Sequence, residues 1–191
     1  MRQSHVLCTD PEGLHRLSYV EWTAPKEGPE QGKERTLICL HSLTGNGRLY
    51  DHLGREFAAA GYRVICPDLP GRGDSDWLAS PRRYTFPQYI SDMVTLIARL
   101  DVDQVDWIGT SMGGVIGMML AGMAGTPIRR LVINDVGGRV PSKALRRIAR
   151  YVGAYPSFAD LKAAESYFRD LYRGIGPLSD DQWRHLATVG T

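Results

Sequence analysis

Continuous apolar runs alternate with segments of helical period along the first two thirds of the chain. Thr36-Leu37-Ile38-Cys39-Leu40, Tyr62-Arg63-Val64-Ile65-Cys66, the run opening at Val105 and Ile128 to Ile133 are short and rich in β-formers. Such runs suit strands covered on both faces. Between them, Leu49 to Ala60 repeats Leu49, Leu53 and Phe57 and stops at Gly61, while Thr85 to Leu100 repeats Phe86, Ile90, Met93, Ile97 and Leu100. Both spacings predict amphipathic helices, the second capped by Thr85 with Pro87 in its first turn. Residues 5 to 9 and 15 to 23 read as an antiparallel hairpin across Asp10-Pro11-Glu12-Gly13, and Ala24 to Arg35 as a solvated loop. Six strands alternating with helices predict an α/β fold with a doubly wound, mostly parallel sheet over residues 1–141. From Ser142 onward no strand pattern returns. Residues 142 to 154, 157 to 172 and 179 to 191 read as three helices capped by Ser142, Ser157 and Ser179, forming a helical segment over 142–191.

The most informative stretch is Val105-Asp106-Trp107-Ile108-Gly109-Thr110-Ser111-Met112-Gly113-Gly114. It runs from a strand pattern through Gly-x-Ser-x-Gly directly into a helix pattern. A serine raised on so sharp a turn takes a strained backbone, and only residues without bulk fit two positions before and after it. The bare motif arises by chance in about one chain of this length in twenty, so its weight comes from the strand before it and the helix after it. The turn places Met112 at a helix N-terminus, where a backbone N–H can stabilise a developing oxyanion.

Composition narrows the classes. The chain has 191 residues, 43% hydrophobic and 23% charged, with net charge +2, an ordinary globular profile that selects no polyanionic partner. Lys143, Arg146, Arg147 and Arg150 recur at helical spacing and read as a solvated face, so no nucleic-acid partner is expected. No run is long enough for a membrane span, and Met1 to His5 lack the apolar segment of a signal peptide, so a cytoplasmic chain with no membrane partner is the expectation. Cys8, Cys39 and Cys66 lie in apolar runs and read as buried free thiols, not as a disulfide framework or metal site.

Three motifs in order give the chain a resemblance to the α/β-hydrolase fold superfamily. His41-Ser42-Leu43-Thr44-Gly45 resembles the oxyanion loop, Asp68-Leu69-Pro70-Gly71-Arg72-Gly73-Asp74-Ser75 the loop after the fourth strand, and Gly109 to Gly113 the nucleophile elbow. The resemblance covers about residues 5 to 141, with 142 to 191 resembling the start of an inserted helical cap. It implies a serine hydrolase acting on a small-molecule ester, amide or other activated carbonyl through an acyl-enzyme. Ser111 would be the nucleophile, with Leu43 and Met112 as oxyanion donors, His41 shaping the loop, and no metal or organic cofactor. Ser42 departs from the glycine usual in that loop.

The family order of nucleophile, acid and histidine implies two further strands bearing the usual acid and the histidine beyond Thr191. The sequence is therefore expected to stop within the cap, and to be nearly inactive alone. Asp135 closes the sixth strand on the sheet edge that carries Ser111, the position some members use for the acid, and a turn or capping role stands beside that reading. Of the five histidines, His185 follows the elbow but lies on a cap helix, and His5, His15 and His52 carry no site pattern. Arg72 and Trp107 read as loop or core material. Acyl transfer and hydrolytic C–C cleavage use the same elbow, and a binding module that keeps the fold without chemistry is the alternative of another class.

Overall fold

The computed structural model describes residues 1–23, 35–150, 152–153, 156–174 and 176–190. The expected loop from Ala24 falls, up to residue 34, outside the described residues. Six strands form one sheet: β1 (Arg2–Asp10), β2 (Gly13–Trp22), β3 (Arg35–Leu40), β4 (Tyr62–Pro67), β5 (Val105–Thr110) and β6 (Ile128–Asn134). Their order is β1-β2-β4-β3-β5-β6. The β1–β2 hairpin and its join to β4 are antiparallel, and the pairs β4–β3, β3–β5 and β5–β6 are parallel. The hairpin turn is set by Asp10, whose Oδ1 accepts the Glu12 and Gly13 amides at 2.6 and 3.0 Å.

Side-chain alternation divides the core between the two faces of this sheet. Ile38, Leu40, Ile65 and Trp107 pack on one face with α2 (Phe86–Arg99) and α3 (Met112–Ala121). Leu37, Cys39, Val64 and Cys66 point the other way, toward Leu53 and Phe57 of α1 (Asp51–Ala59). A strand whose successive residues are buried on opposite faces has no polar position, hence the unbroken apolar runs. The α1 region opens with a turn of 3-10 helix, Gly47–Tyr50, in place of the uninterrupted helix expected from Leu49. Thr85 caps α2 as expected, but Phe86 is exposed, and Tyr89 and Leu96 complete the buried stripe. Among the described residues the strand β6 pairs with β5 alone and leaves Val132 55% exposed, so an apolar edge faces outward.

Two compact units divide at the sixth strand's exit, Met1–Arg139 and Val140–Thr191. The second contains α4 (Ser142–Ile148), α5 (Leu161–Leu171) and α6 (Asp180–Val189). Ala164, Phe168 and Ala187 form its core beside Phe158, Tyr167 and Tyr172. Ser179 caps α6 in a reciprocal capping box with Gln182. The other two expected caps are corrected: Ser142 is the first residue of α4 behind Pro141, and Asp160 caps α5 by accepting the Ala163 amide, because Ser157 lies a turn too early.

The loop after β4 is built around one buried carboxylate. Asp68 Oδ1 accepts the Gly47 amide at 2.6 Å and Oδ2 the Asp74 amide at 3.0 Å. Gly73, at φ 50°, wraps against that carboxylate, where any Cβ would collide with it. Ser75 closes the loop onto the sheet: its Oγ accepts the Ser18 amide at 2.8 Å and donates to the Asp68 carbonyl at 2.6 Å. Ser75→Ala strands a buried amide and a buried carbonyl together, so the variant is expected to lose about 2–3 kcal/mol of stability, read as a lower urea midpoint with an unchanged slope.

Candidate active site

The parallel strands end together, and the candidate site is assembled from the loops at that edge. Ser111 follows β5 and precedes α3 at φ 51° and ψ −111°, a conformation that side chains other than glycine rarely take. The turn is possible because its neighbours lack side chains: a Cβ on Gly113 would strike the Leu40 carbonyl, and one on Gly109 the Gly113 backbone. Trp107, fully buried, donates its indole N–H to the Gly113 carbonyl at 3.1 Å and props the first turn of α3 from below. Helical bonding starts with the Val115 amide on the Ser111 carbonyl at 3.0 Å, so the Met112 amide precedes the ladder. Ser111 is half-buried, and among the described residues its Oγ makes no hydrogen bond.

His41 is fully enclosed beside this turn. Its Nδ1 lies 2.7 Å from the Ser42 carbonyl, and its Nε2 accepts the Leu69 amide at 3.0 Å. Both bonds require the neutral ring with its proton on Nδ1, and burial pushes the imidazole pKa down to about 4. With both nitrogens committed to backbone, this ring has no lone pair to offer Ser111. It ties the loop after β3 to the loop after β4.

Arg72 governs the same loop from the outside. Its Nε donates to the Leu43 carbonyl at 3.1 Å, and its Nη1 to the Pro70 carbonyl and the Tyr89 hydroxyl at 2.7 and 3.1 Å. Tyr84 and Tyr89 flank the guanidinium at 5.8 Å. The peptide that follows Leu43 is thereby held, and Ser42, which is not at positive φ and so does not need to be glycine, accepts from His41 at its carbonyl.

A second set of bonds joins three strand ends around Ser111. Tyr50 donates to the Leu40 carbonyl at 2.9 Å and meets Thr110 Oγ1 at 2.7 Å, and Asn134 Nδ2 donates to Thr110 Oγ1 at 3.3 Å. The Ser111 amide itself goes to the Asn134 carbonyl at 2.8 Å. Asp135 follows directly, exposed, at φ 54° and without a hydrogen bond among the described residues. Thus Ser111, Met112, the His41–Leu43 loop and the end of β6 converge within the first unit. His185 belongs to α6 of the second.

Sequence patterns did not reveal Arg72, Tyr50 or Thr110 as parts of this edge. Arg72 lies inside a recognisable motif and carried a usable signal, whereas Tyr50 acts through a fold-dependent contact. A separate depression of about 840 Å³, lined among others by Arg35, Arg63, Asp101, Asp106 and Arg129, opens at the opposite, N-terminal ends of the parallel strands. It contains no candidate residue; the candidate residues gather at the other edge of the sheet, where the loops after the parallel strands converge. Among the described residues no helix is long and apolar enough to cross a membrane.

Comparison with known proteins agrees with this fold. A family model described as the alpha/beta hydrolase fold matches residues 35–168. The chain is 45% identical over 185 residues to a 3-hydroxybutyrate-oligomer hydrolase of Cupriavidus necator, an alignment spanning 97% of this chain and 61% of that protein. It superimposes on a putative hydrolase from Rickettsia typhi with TM-score 0.90 at 30% identity, covering 99% of this chain and 67% of the other. An alpha/beta hydrolase from Novosphingobium aromaticivorans gives TM-score 0.81, also at 30% identity, covering 98% and 63%.

The buried, neutral His41 has a thermodynamic signature. Its folded pKa near 4 lies below the ordinary 6.5 of the unfolded chain, so between these values the unfolded state holds the extra proton and stability falls as pH falls. This group alone contributes a loss of about 3 kcal/mol between pH 7 and pH 4. Asp68 has the opposite sign, because burial raises its pKa, so the informative quantity is a difference between proteins. His41→Asn is expected to be less stable at pH 7 yet to lose less on acidification than the parent, measured by urea unfolding at matched pH values.

Proposed function

The chain belongs to the alpha/beta hydrolase fold family, and from that premise we propose that it carries the nucleophile half of a serine esterase. The observation that carries the reading is the conformation of Ser111, held at φ 51° at the head of α3. In this mechanism Ser111 Oγ attacks an ester carbonyl as a base removes its proton. The amides of Met112 and Leu43 receive the oxyanion, the alcohol fragment leaves, and water releases the acyl group from serine. Arg72 and His41 act by positioning the Leu43 peptide.

The substrate class proposed is a short oligomer of a hydroxy acid such as 3-hydroxybutyrate. Support comes from the name of the 45% identical relative, a 3-hydroxybutyrate-oligomer hydrolase, and from the chemistry that name implies, cleavage of a simple ester. Each turnover splits one ester bond into a carboxylic acid and an alcohol. The chain spans 61% of that relative's length, and the base is proposed to come from residues outside this sequence, since His41 is committed to backbone at both nitrogens. Asp135 is proposed as an acid for that histidine, from its place beside Asn134 at the edge that holds Ser111.

The experiment compares residues 1–191 with a version extended through two further strands and a histidine loop, each with a Ser111→Ala control, on a 3-hydroxybutyrate dimer. The extended protein is expected to hydrolyse the dimer and Ser111→Ala to abolish turnover. The short form should be nearly inert, because in a well-studied serine protease removing the base costs about two million-fold in kcat. A short form within about tenfold of the extended one, silenced by Ser111→Ala, would place the base inside residues 1–191 and overturn this account.

A further inference from the structure

Under α2, on the sheet face that carries the larger core, three side chains of metal-binding chemistry meet. Cys8 and His15 are direct cross-strand partners in the β1–β2 hairpin, so both project from the same face, and Asp92 descends on them from α2. One ligand atom from each, the Cys8 sulfur, a His15 ring nitrogen and an Asp92 carboxylate oxygen, lies within 4.8 Å of the other two. The three residues are 2%, 3% and 0% exposed.

The Cys8 thiol donates only a long bond, 4.0 Å, to the Asp92 carbonyl, and the His15 ring is less well satisfied. His15 Nε2 stands 3.2 Å from Asp92 Oδ2, yet the two are not aligned as a hydrogen bond. Consequently Nδ1, Nε2 and Oδ2 are all buried without a hydrogen-bond partner. Each such atom costs about 1–3 kcal/mol in lost hydration, so the arrangement calls for something between them. The other carboxylate oxygen is already held: Gln88 Nε2 donates to Asp92 Oδ1 at 2.8 Å and to the Thr9 carbonyl at 2.9 Å. That bond leaves Oδ2 as the oxygen available to a ligand.

We infer that Cys8, His15 and Asp92 form a binding site for a zinc-class divalent cation, distinct from the edge that carries Ser111. Sulfur, imidazole nitrogen and carboxylate oxygen together suit a borderline-soft ion of tetrahedral preference, with the fourth position open to a small ligand. Zinc bond lengths put tetrahedral ligand atoms about 3.3–3.7 Å apart, so from separations within 4.8 Å the three need to close by about 1.5 Å at most. On binding, the Cys8 thiol gives its proton to solvent. Thiolate and carboxylate then cancel the two positive charges, and the buried cluster carries no net charge. Gln88 takes the part of an outer partner that orients a ligating carboxylate. Strands β2, β4 and β3 separate β1 from β5 in the sheet, so the ion would pin the hairpin to α2 and take no part in ester cleavage.

The test titrates the untagged 191-residue chain, purified through chelator, with Co²⁺ and then Zn²⁺. One equivalent of Co²⁺ is expected to give a thiolate-to-cobalt charge-transfer band in the near ultraviolet and the visible bands of a tetrahedral ion, and one equivalent of Zn²⁺ to abolish both. Cys8→Ser should eliminate the charge-transfer band, Cys66→Ala should retain it, and Gln88→Ala should weaken binding about ten- to hundredfold. Because substitutions here can loosen the core, Asp92→Asn, which preserves size, is followed by equilibrium dialysis with near-ultraviolet circular dichroism reporting the fold. A folded Asp92→Asn protein that no longer takes up zinc supports the site. Absence of the cobalt band in the folded parent chain, or its survival in Cys8→Ser, overturns it.

Discussion

A serine at positive φ costs about 1–3 kcal/mol and persists only where its surroundings leave no alternative. At Ser111 that requirement reaches through the whole first unit. The turn closes because Gly113 can lie against the Leu40 carbonyl, which demands that β5 sit beside β3 in register, Gly109 opposite Leu40. Trp107 holds the turn from beneath, and its burial depends on α2 and α3 covering that face. The strain of one residue is thus borne by the packing of the sheet and two helices.

Around this seat the polar groups are divided between two tasks. Asp68, Ser75 and Ser18 are spent on holding the loop after β4 to the sheet, a wholly internal bond set. His41 and Arg72 transmit that rigidity to the loop after β3, one through backbone bonds on both ring nitrogens and the other through the Leu43 carbonyl. A loop fixed in this way keeps its amides oriented, as the proposed stabilisation of a developing charge requires.

The parallel half of the fold was legible because strands buried on both faces and helices buried on one leave unmistakable periods, and because an elbow demands glycine at set positions, while residues 68 to 75 were legible only as a resemblance. Residues 109 to 113 and 68 to 75 are short motifs readable along the chain, although the contacts that hold them are long-range, Gly113 on Leu40, the Ser111 amide on Asn134, Asp68 on Gly47 and Ser75 on Ser18. What escaped was long-range or side-chain specific. Tyr50 reaches the ends of β3 and β5, and nothing in its own segment announces that. Cys8 and His15 are seven positions apart and looked incidental until the hairpin register made them partners and α2 supplied Asp92. Helix starts at Asp160 and Pro141 were misplaced because several nearby polar residues could have capped, and only backbone geometry chooses among them.

The amide of Ser111 is bonded to the carbonyl of Asn134, and Asn134 is the last residue of β6. The seat therefore depends on a strand translated more than twenty positions after the serine itself, during synthesis at about 5–20 residues per second. For that interval the nascent chain holds a serine in its coding place but not in its native conformation. The elbow has all its bonds not when its five residues emerge from the ribosome but only once the neighbouring strand docks and supplies the Asn134 carbonyl.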